Sequence, residues 1–172
     1  MAFFYFDFNN KDTPTDSVLR SLIEQLSLQC ETVPNALETL VSKNAGARRS
    51  VAQEELMSTL KSIIGSSQKV YIVFDALDEC PERSRFLTSI RETQDWKFDK
   101  LHLLATSRKE RDIEESLSGL ISHEVPMDES FVDGDIRVHV SRTLEDDTKF
   151  SMCSAEEKEM VKTTLIKGAH GM

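Results

Sequence analysis

Residues 70–80 read VYIVFDALDEC, an apolar run that leads straight into Asp75, Asp78 and Glu79. Val70 to Phe74 is apolar at odd and even positions alike, which predicts a strand buried on both faces, the habit of parallel sheets. The acids then fall at the strand's carboxyl end. In an open parallel α/β sheet, ligands bind in the crevice beyond that end. An Asp there suits Mg²⁺, which takes one or two carboxylates and fills its octahedron with water and phosphate oxygens. A second acid about one turn further on can orient or deprotonate an attacking water. The same residues admit a plainer reading. Acids in strand-to-helix turns cap the following helix, and Cys80-Pro81-Glu82 reads as a helix start. Carboxylates this close repel one another unless a cation or hydrogen-bond donors compensate.

A second strand end strengthens the functional reading. Leu101 to Ala105 (LHLLA) is a short, near-continuous apolar run that ends in Thr106-Ser107-Arg108. As a parallel neighbour of the first strand, it brings two hydroxyls and a guanidinium to the same sheet edge as Asp75. Arg108 there can contact a phosphate in bidentate fashion. Its alternative is a surface arginine paired with Glu110 or Asp112.

The rest of the chain alternates in the same way. AFFYFDF (Ala2 to Phe8) predicts a strand, entering a turn at Asn9-Asn10-Lys11-Asp12. Thr13-Pro14-Thr15-Asp16 then opens a helix with Val18, Leu19, Leu22, Ile23 and Leu26 on one face. Further helices are expected over about 34–43, 50–64, 82–94 and 111–120, and a brief strand over 122–126. Strands alternating with helices give an α/β fold: a parallel sheet with helices on both faces. From Asp128 the pattern is helical only, with Ile136, Val140 and Leu144 on one helix and a capping box at Ser154–Glu157 opening another. A change of domain is therefore expected near Asp128, with residues 1–127 as the α/β part and residues 128–172 as a helical part.

Composition removes several other functions. The 172 residues carry a net charge of −9 with no basic block longer than Arg48-Arg49, which disfavours nucleic acid as a partner. No apolar run approaches the roughly 20 residues of a membrane span, and MAFFYFDF lacks a basic leader, so a cytoplasmic location is expected. Cys30, Cys80 and Cys153 are far apart, and His102, His123, His139 and His170 lack metal-ligand spacing. DFNNKD resembles a calcium loop only loosely, and no G-x-S-x-G elbow occurs. Charge runs at 108–115 and 156–159 read as solvated helix faces.

With these motifs in hand, VYIVFDALDEC resembles the Walker B segment, and LHLLATSRKE the sensor 1 segment, of NACHT NTPases in the STAND class of P-loop proteins. The resemblance is to fungal NOD-like receptors, often carrying ankyrin or WD40 repeats, whose N-terminal NTPase region is similar to that of nephrocystin-3. AFFYFDFNNKD with DSVLRSLIEQL, and DIRVHVSRTL, resemble further segments of that region and of its helical domain. The resemblance implies a signalling switch that binds and slowly hydrolyses ATP or GTP with Mg²⁺, with protein partners or a homo-oligomer as output. It implies Asp75 as the Mg²⁺-linked acid, Asp78 and Glu79 as the water-orienting acids with Glu79 the base, and Thr106, Ser107 and Arg108 as nucleotide contacts, Arg108 touching the γ-phosphate.

One departure bears on activity. None of the six glycines belongs to a G-x-x-x-x-G-K-[ST] phosphate loop. In the family that loop and a central strand precede the segment that AFFYFDF resembles, so both ends of the chain are expected to be truncated. The 172 residues by themselves are then expected to be poorly stable and to bind nucleotide weakly or not at all. A nucleotide-independent interaction module is the alternative.

Overall fold

A computed structural model describes residues 1–8, 13–45, 50–126 and 129–169, with side chains of the last stretch from 134 to 168. The chain divides into two compact units, Met1–Ser122 and His123–Met172. The expected turn at 9–12, residue 46 of the expected helix break, and residues 127 and 128 at the expected domain change lie outside the described residues.

In the first unit the elements are β1 (Ala2–Tyr5), α1 (Thr15–Ser27), α2 (Asn35–Asn44), α3 (Gln53–Ser66), β2 (Val70–Asp75), a 3-10 turn (Leu77–Glu79), α4 (Arg83–Asp95), β3 (Leu101–Ala105) and α5 (Arg111–Leu117). The three strands form one parallel sheet in the order β1-β2-β3, with Ala2 opposite Ile72 and Val70 opposite Leu101. The α/β class holds: a parallel sheet with helices around it, followed by helices.

The core forms where strand and helix periods meet. Ala2, Phe6, Val70, Ile72 and Phe74 are buried together with the inner stripes of three helices: Leu22 and Leu26 of α1, Leu60 and Ile64 of α3, Phe86 and Ile90 of α4. At its centre Phe86 meets Phe74 edge-on at 5.0 Å and Phe6 at 5.3 Å. The alternate strand residues are far more open. Phe3, Tyr5, Tyr71 and Leu104 are 43–63% exposed. Near-continuous apolar strands therefore do not bury both faces equally here.

The outer edge of β1 is closed by side chains rather than by a strand. Gln25 on α1 accepts the Phe3 N–H (3.0 Å) and donates to the Phe3 carbonyl (2.8 Å). One turn later Gln29 accepts from the Met1 amino group (2.6 Å) and donates to the Met1 carbonyl (2.8 Å). The two amides imitate the donors and acceptors of a neighbouring strand, which blocks strand addition at this edge.

The start of α1 is satisfied from a distance. Pro14 at its N-cap has no capping side chain; the Thr15 N–H instead donates to Glu82 at 2.8 Å, across 67 residues of sequence. Arg85 joins this carboxylate to Asp16 and Gln53. The Thr15 N–H is the main reason that the Glu82 carboxyl titrates below its usual range, with Arg85 adding to it. A lowered folded pKa means that the contribution is present above the unfolded value of 4.5 and is lost as pH falls from there through the lower folded value. Glu82→Ala should cost about 0.5–1 kcal/mol at pH 7, toward the low end of a cap because solvent screens the carboxylate. Urea melts of both proteins between pH 7 and pH 3 should converge at the acid end; a difference that stays constant with pH would contradict the assignment.

Two expectations are corrected. The strand predicted over Ala2–Phe8 stops at Tyr5, because the chain turns away once the Phe6 N–H has reached the Asp75 carbonyl at 3.0 Å. No strand forms over 122–126. These residues are exposed, Pro126 lacks a ladder donor, and no neighbouring strand reaches them among the described residues. In the second unit α6 (Glu129–Asp146) and α7 (Ala155–Ala169) form, and Ser154 and Glu157 make the capping box reciprocally. Among the described residues no helix is long and apolar enough to cross a membrane.

Candidate functional site

The carboxyl ends of β2 and β3 are fastened to each other by one residue. The Thr106 N–H donates to the Phe74 carbonyl (2.9 Å), the Leu77 N–H donates to the Thr106 carbonyl (2.9 Å), and the Thr106 hydroxyl accepts from the Ala76 N–H (3.0 Å). The same hydroxyl donates to the Asp75 carboxylate. Ala76 sits in the left-handed region, at φ 55°, so the chain bends sharply just after Asp75. Leu77, fully buried, anchors the turn.

The next two acids are tied to the other strand exits. Asp78 accepts the Arg108 N–H at 3.0 Å and has the Arg108 guanidinium 3.6 Å away. Its own backbone carbonyl accepts from Arg83, which also pairs with Asp112 at 2.6 Å. Glu79 accepts the Phe8 N–H at 2.7 Å, just past the end of β1. From the end of β2, Asp75, Asp78 and Glu79 thus hold residues that follow the other two strands, Asp75 and Asp78 beyond β3 and Glu79 beyond β1.

Neither plain alternative describes these residues. No side chain caps the 3-10 turn or α4. Arg108 pairs with Asp78, while Asp112 pairs with Arg83. The guanidinium of Arg108 is nonetheless 74% exposed, so it can still turn to a ligand. The Ser107 hydroxyl donates to the Arg108 carbonyl at 2.7 Å and so serves the loop.

Among the described residues no three acids, histidines or cysteines converge as metal ligands. A shallow groove lined by Cys80 to Arg85 and Asp112 does not include Asp75 or Arg108, and its charges are paired internally. Burial pushes the Cys80 thiol up to about 11, which leaves it protonated and unreactive at neutral pH.

Residues 1–108 match the nephrocystin 3 N-terminal family, a stretch that contains all three strands and runs to Arg108. The chain belongs to the nephrocystin 3 N-terminal family. Neither a curated protein nor a solved structure matches it. Every candidate residue of this nephrocystin 3 N-terminal chain, from Asp75 to Arg108, lies inside the family match, and the second unit lies outside it.

Several contributors escape sequence reading. Phe8 engages Glu79 through its backbone, which leaves no trace in residue type. Arg83 and Glu82 follow Pro81 and read simply as the polar start of α4. Their partners, Asp112 and Thr15, are too distant in sequence for spacing to indicate them.

Proposed function

We propose that the strand ends form the metal-and-arginine half of a nucleotide site, within a NACHT-type switch of the STAND class. The observation that carries the reading is the convergence of Asp75, Asp78, Glu79, Thr106 and Arg108 beyond the carboxyl ends of parallel strands, where α/β sheets bind ligands. In this reading Asp75 holds Mg²⁺ through one carboxylate, and Thr106 fixes the direction of that carboxylate. Bound Mg²⁺ supplies charge neutralisation on the phosphates. Asp78 keeps the Arg108 backbone in place, while the exposed guanidinium swings from Asp78 to a terminal phosphate. Glu79, held by Phe8, orients the attacking water and takes its proton. ATP or GTP is the substrate, in the cytoplasm, with closure of a helical domain gating protein partners or oligomerisation.

The 172 residues contain no G-x-x-x-x-G-K-[ST], so the amides and lysine that make most contacts to a triphosphate are not among them. Isothermal titration of this chain with Mg-ATP or Mg-GTP should therefore give no saturable binding at micromolar nucleotide. A measured micromolar Kd would show that the phosphates are held by residues other than those assigned. A nucleotide-independent interaction module is the second reading, favoured by the exposed Phe3, Tyr5, Tyr71 and Leu104 on one face of the sheet.

A further inference from the structure

The segment that carries Arg108 is held along its length. Thr106 ties its start to the turn after β2, Asp78 accepts the Arg108 N–H, and Asp112, in the first turn of α5, is bound by Arg83 at 2.6 Å. Arg83 opens α4, and its other contact is the backbone carbonyl of Asp78 at 2.8 Å. One guanidinium thus grips both the residue that holds Arg108 and the helix start into which Arg108 leads. Its planar fork suits two such partners, with Nε donating to the Asp112 carboxylate and Nη1 to the turn. Charge alternates along these contacts, from Arg108 to Asp78 to Arg83 to Asp112, so each carboxylate has a cation beside it. The next arginine of α4 is committed elsewhere. Arg85 reaches Asp16, Glu82 and Gln53, on the side of α1.

We infer that Arg83 is a positioning residue for Arg108, acting through the Asp78 carbonyl and through Asp112. The Arg108 side chain is 74% exposed, so its reach is set by its backbone rather than by packing around its guanidinium. That backbone is anchored by Asp78, and Asp78 is anchored in turn by Arg83. A displacement of about 1 Å in a group that must meet a phosphate can cost about 100-fold in rate. The value of this placement rests on the nucleotide reading above, in which Arg108 turns to a terminal phosphate, whereas the placement itself can be measured without any ligand.

Amide exchange and a tripolyphosphate titration of the 172-residue chain, both followed by NMR, test this. In Arg83→Gln the Arg108 amide is expected to exchange about tenfold faster, while the Ile72 amide within β2 changes by less than about twofold. Simple loss of stability would speed both alike. Asp112→Asn weakens one arm of the fork, should speed the Arg108 amide about threefold, and serves if Arg83→Gln unfolds the chain. Arg85→Gln, which cuts the contacts to α1 instead, should leave the Arg108 amide unchanged relative to Ile72. Millimolar sodium tripolyphosphate should shift the Arg108 Nε–H resonance saturably in the wild type, with affinity at least about threefold weaker in Arg83→Gln. An Arg108 amide that tracks Ile72 in both Arg83→Gln and Asp112→Asn, or one disturbed equally by Arg85→Gln, would overturn the inference. An Arg108 guanidinium indifferent to tripolyphosphate in the wild type would refute the nucleotide reading instead, and the Arg108 amide would still decide the role of Arg83.

Discussion

Phe86→Ala should cost about 3–5 kcal/mol, a large share of the roughly 5–15 kcal/mol typical of a whole domain. Phe86 is 1% exposed and packs edge-on against both Phe74 of β2 and Phe6 beyond β1. Truncation would open a cavity between α4 and the sheet and remove both aromatic pairs, each worth about 0.5–1.5 kcal/mol beyond area burial. Backbone movement cannot close the gap cheaply, because β1 and β2 are fixed to each other by their ladder and by the Phe6 to Asp75 hydrogen bond. Chemical denaturation followed by far-UV circular dichroism measures the loss. A change below about 1 kcal/mol would mean that this aromatic cluster is not the centre of the core.

Asp75→Asn and Arg108→Ala are expected to reduce nucleotide hydrolysis by at least about 100-fold each when placed in a protein that also carries a phosphate loop ahead of β1. The two substitutions act on different parts of the site. Asparagine keeps a hydrogen bond with the Thr106 hydroxyl while removing the negative charge that attracts Mg²⁺. Alanine at 108 removes the guanidinium but leaves the backbone N–H that Asp78 accepts, so the loop after β3 should keep its shape. Unchanged turnover in both variants would refute the roles assigned to them. Loss in Asp75→Asn with full activity in Arg108→Ala would leave Arg108 as a loop-holding residue.

How much of this was legible in the sequence depends on the range of the interaction. LHLLA forms a strand over the residues that its apolar run marks, and VYIVFD forms β2, because a run of apolar residues bounded by polar punctuation is local information. The capping box at Ser154 and Glu157 is equally local, spanning three residues. Thr106 and Arg108 could be placed beside Asp75 because parallel neighbours end at the same sheet edge. What each carboxylate holds was not legible. Glu79 reaches Phe8 across 71 residues and Glu82 reaches Thr15 across 67, and pairings of that kind depend on how the helices stack rather than on spacing. The strand expected at 122–126 failed for a related reason, since a segment makes a strand only where a ladder partner exists, and SHEVP has none among the described residues.

The bracing of the strand ends also bears on what the acids do. A carboxylate that holds a backbone N–H contributes to structure whether or not a ligand arrives, and the three acids here act over distances that tie β1 and β3 to the turn after β2. Bracing and ligand binding are compatible, because each carboxylate has two oxygens and several lone pairs. They differ in how Mg²⁺ affects them. A purely structural acid gives a metal no preference for this corner of a surface that carries 30 acidic side chains along the chain.

The most direct test is therefore a Mg²⁺ titration of this chain followed by amide NMR. Saturable shifts concentrated at residues 75–79 and 106–108, and abolished by Asp75→Asn, are predicted. Weak shifts scattered over the acidic surface and indifferent to Asp75→Asn would contradict a metal site at the strand ends.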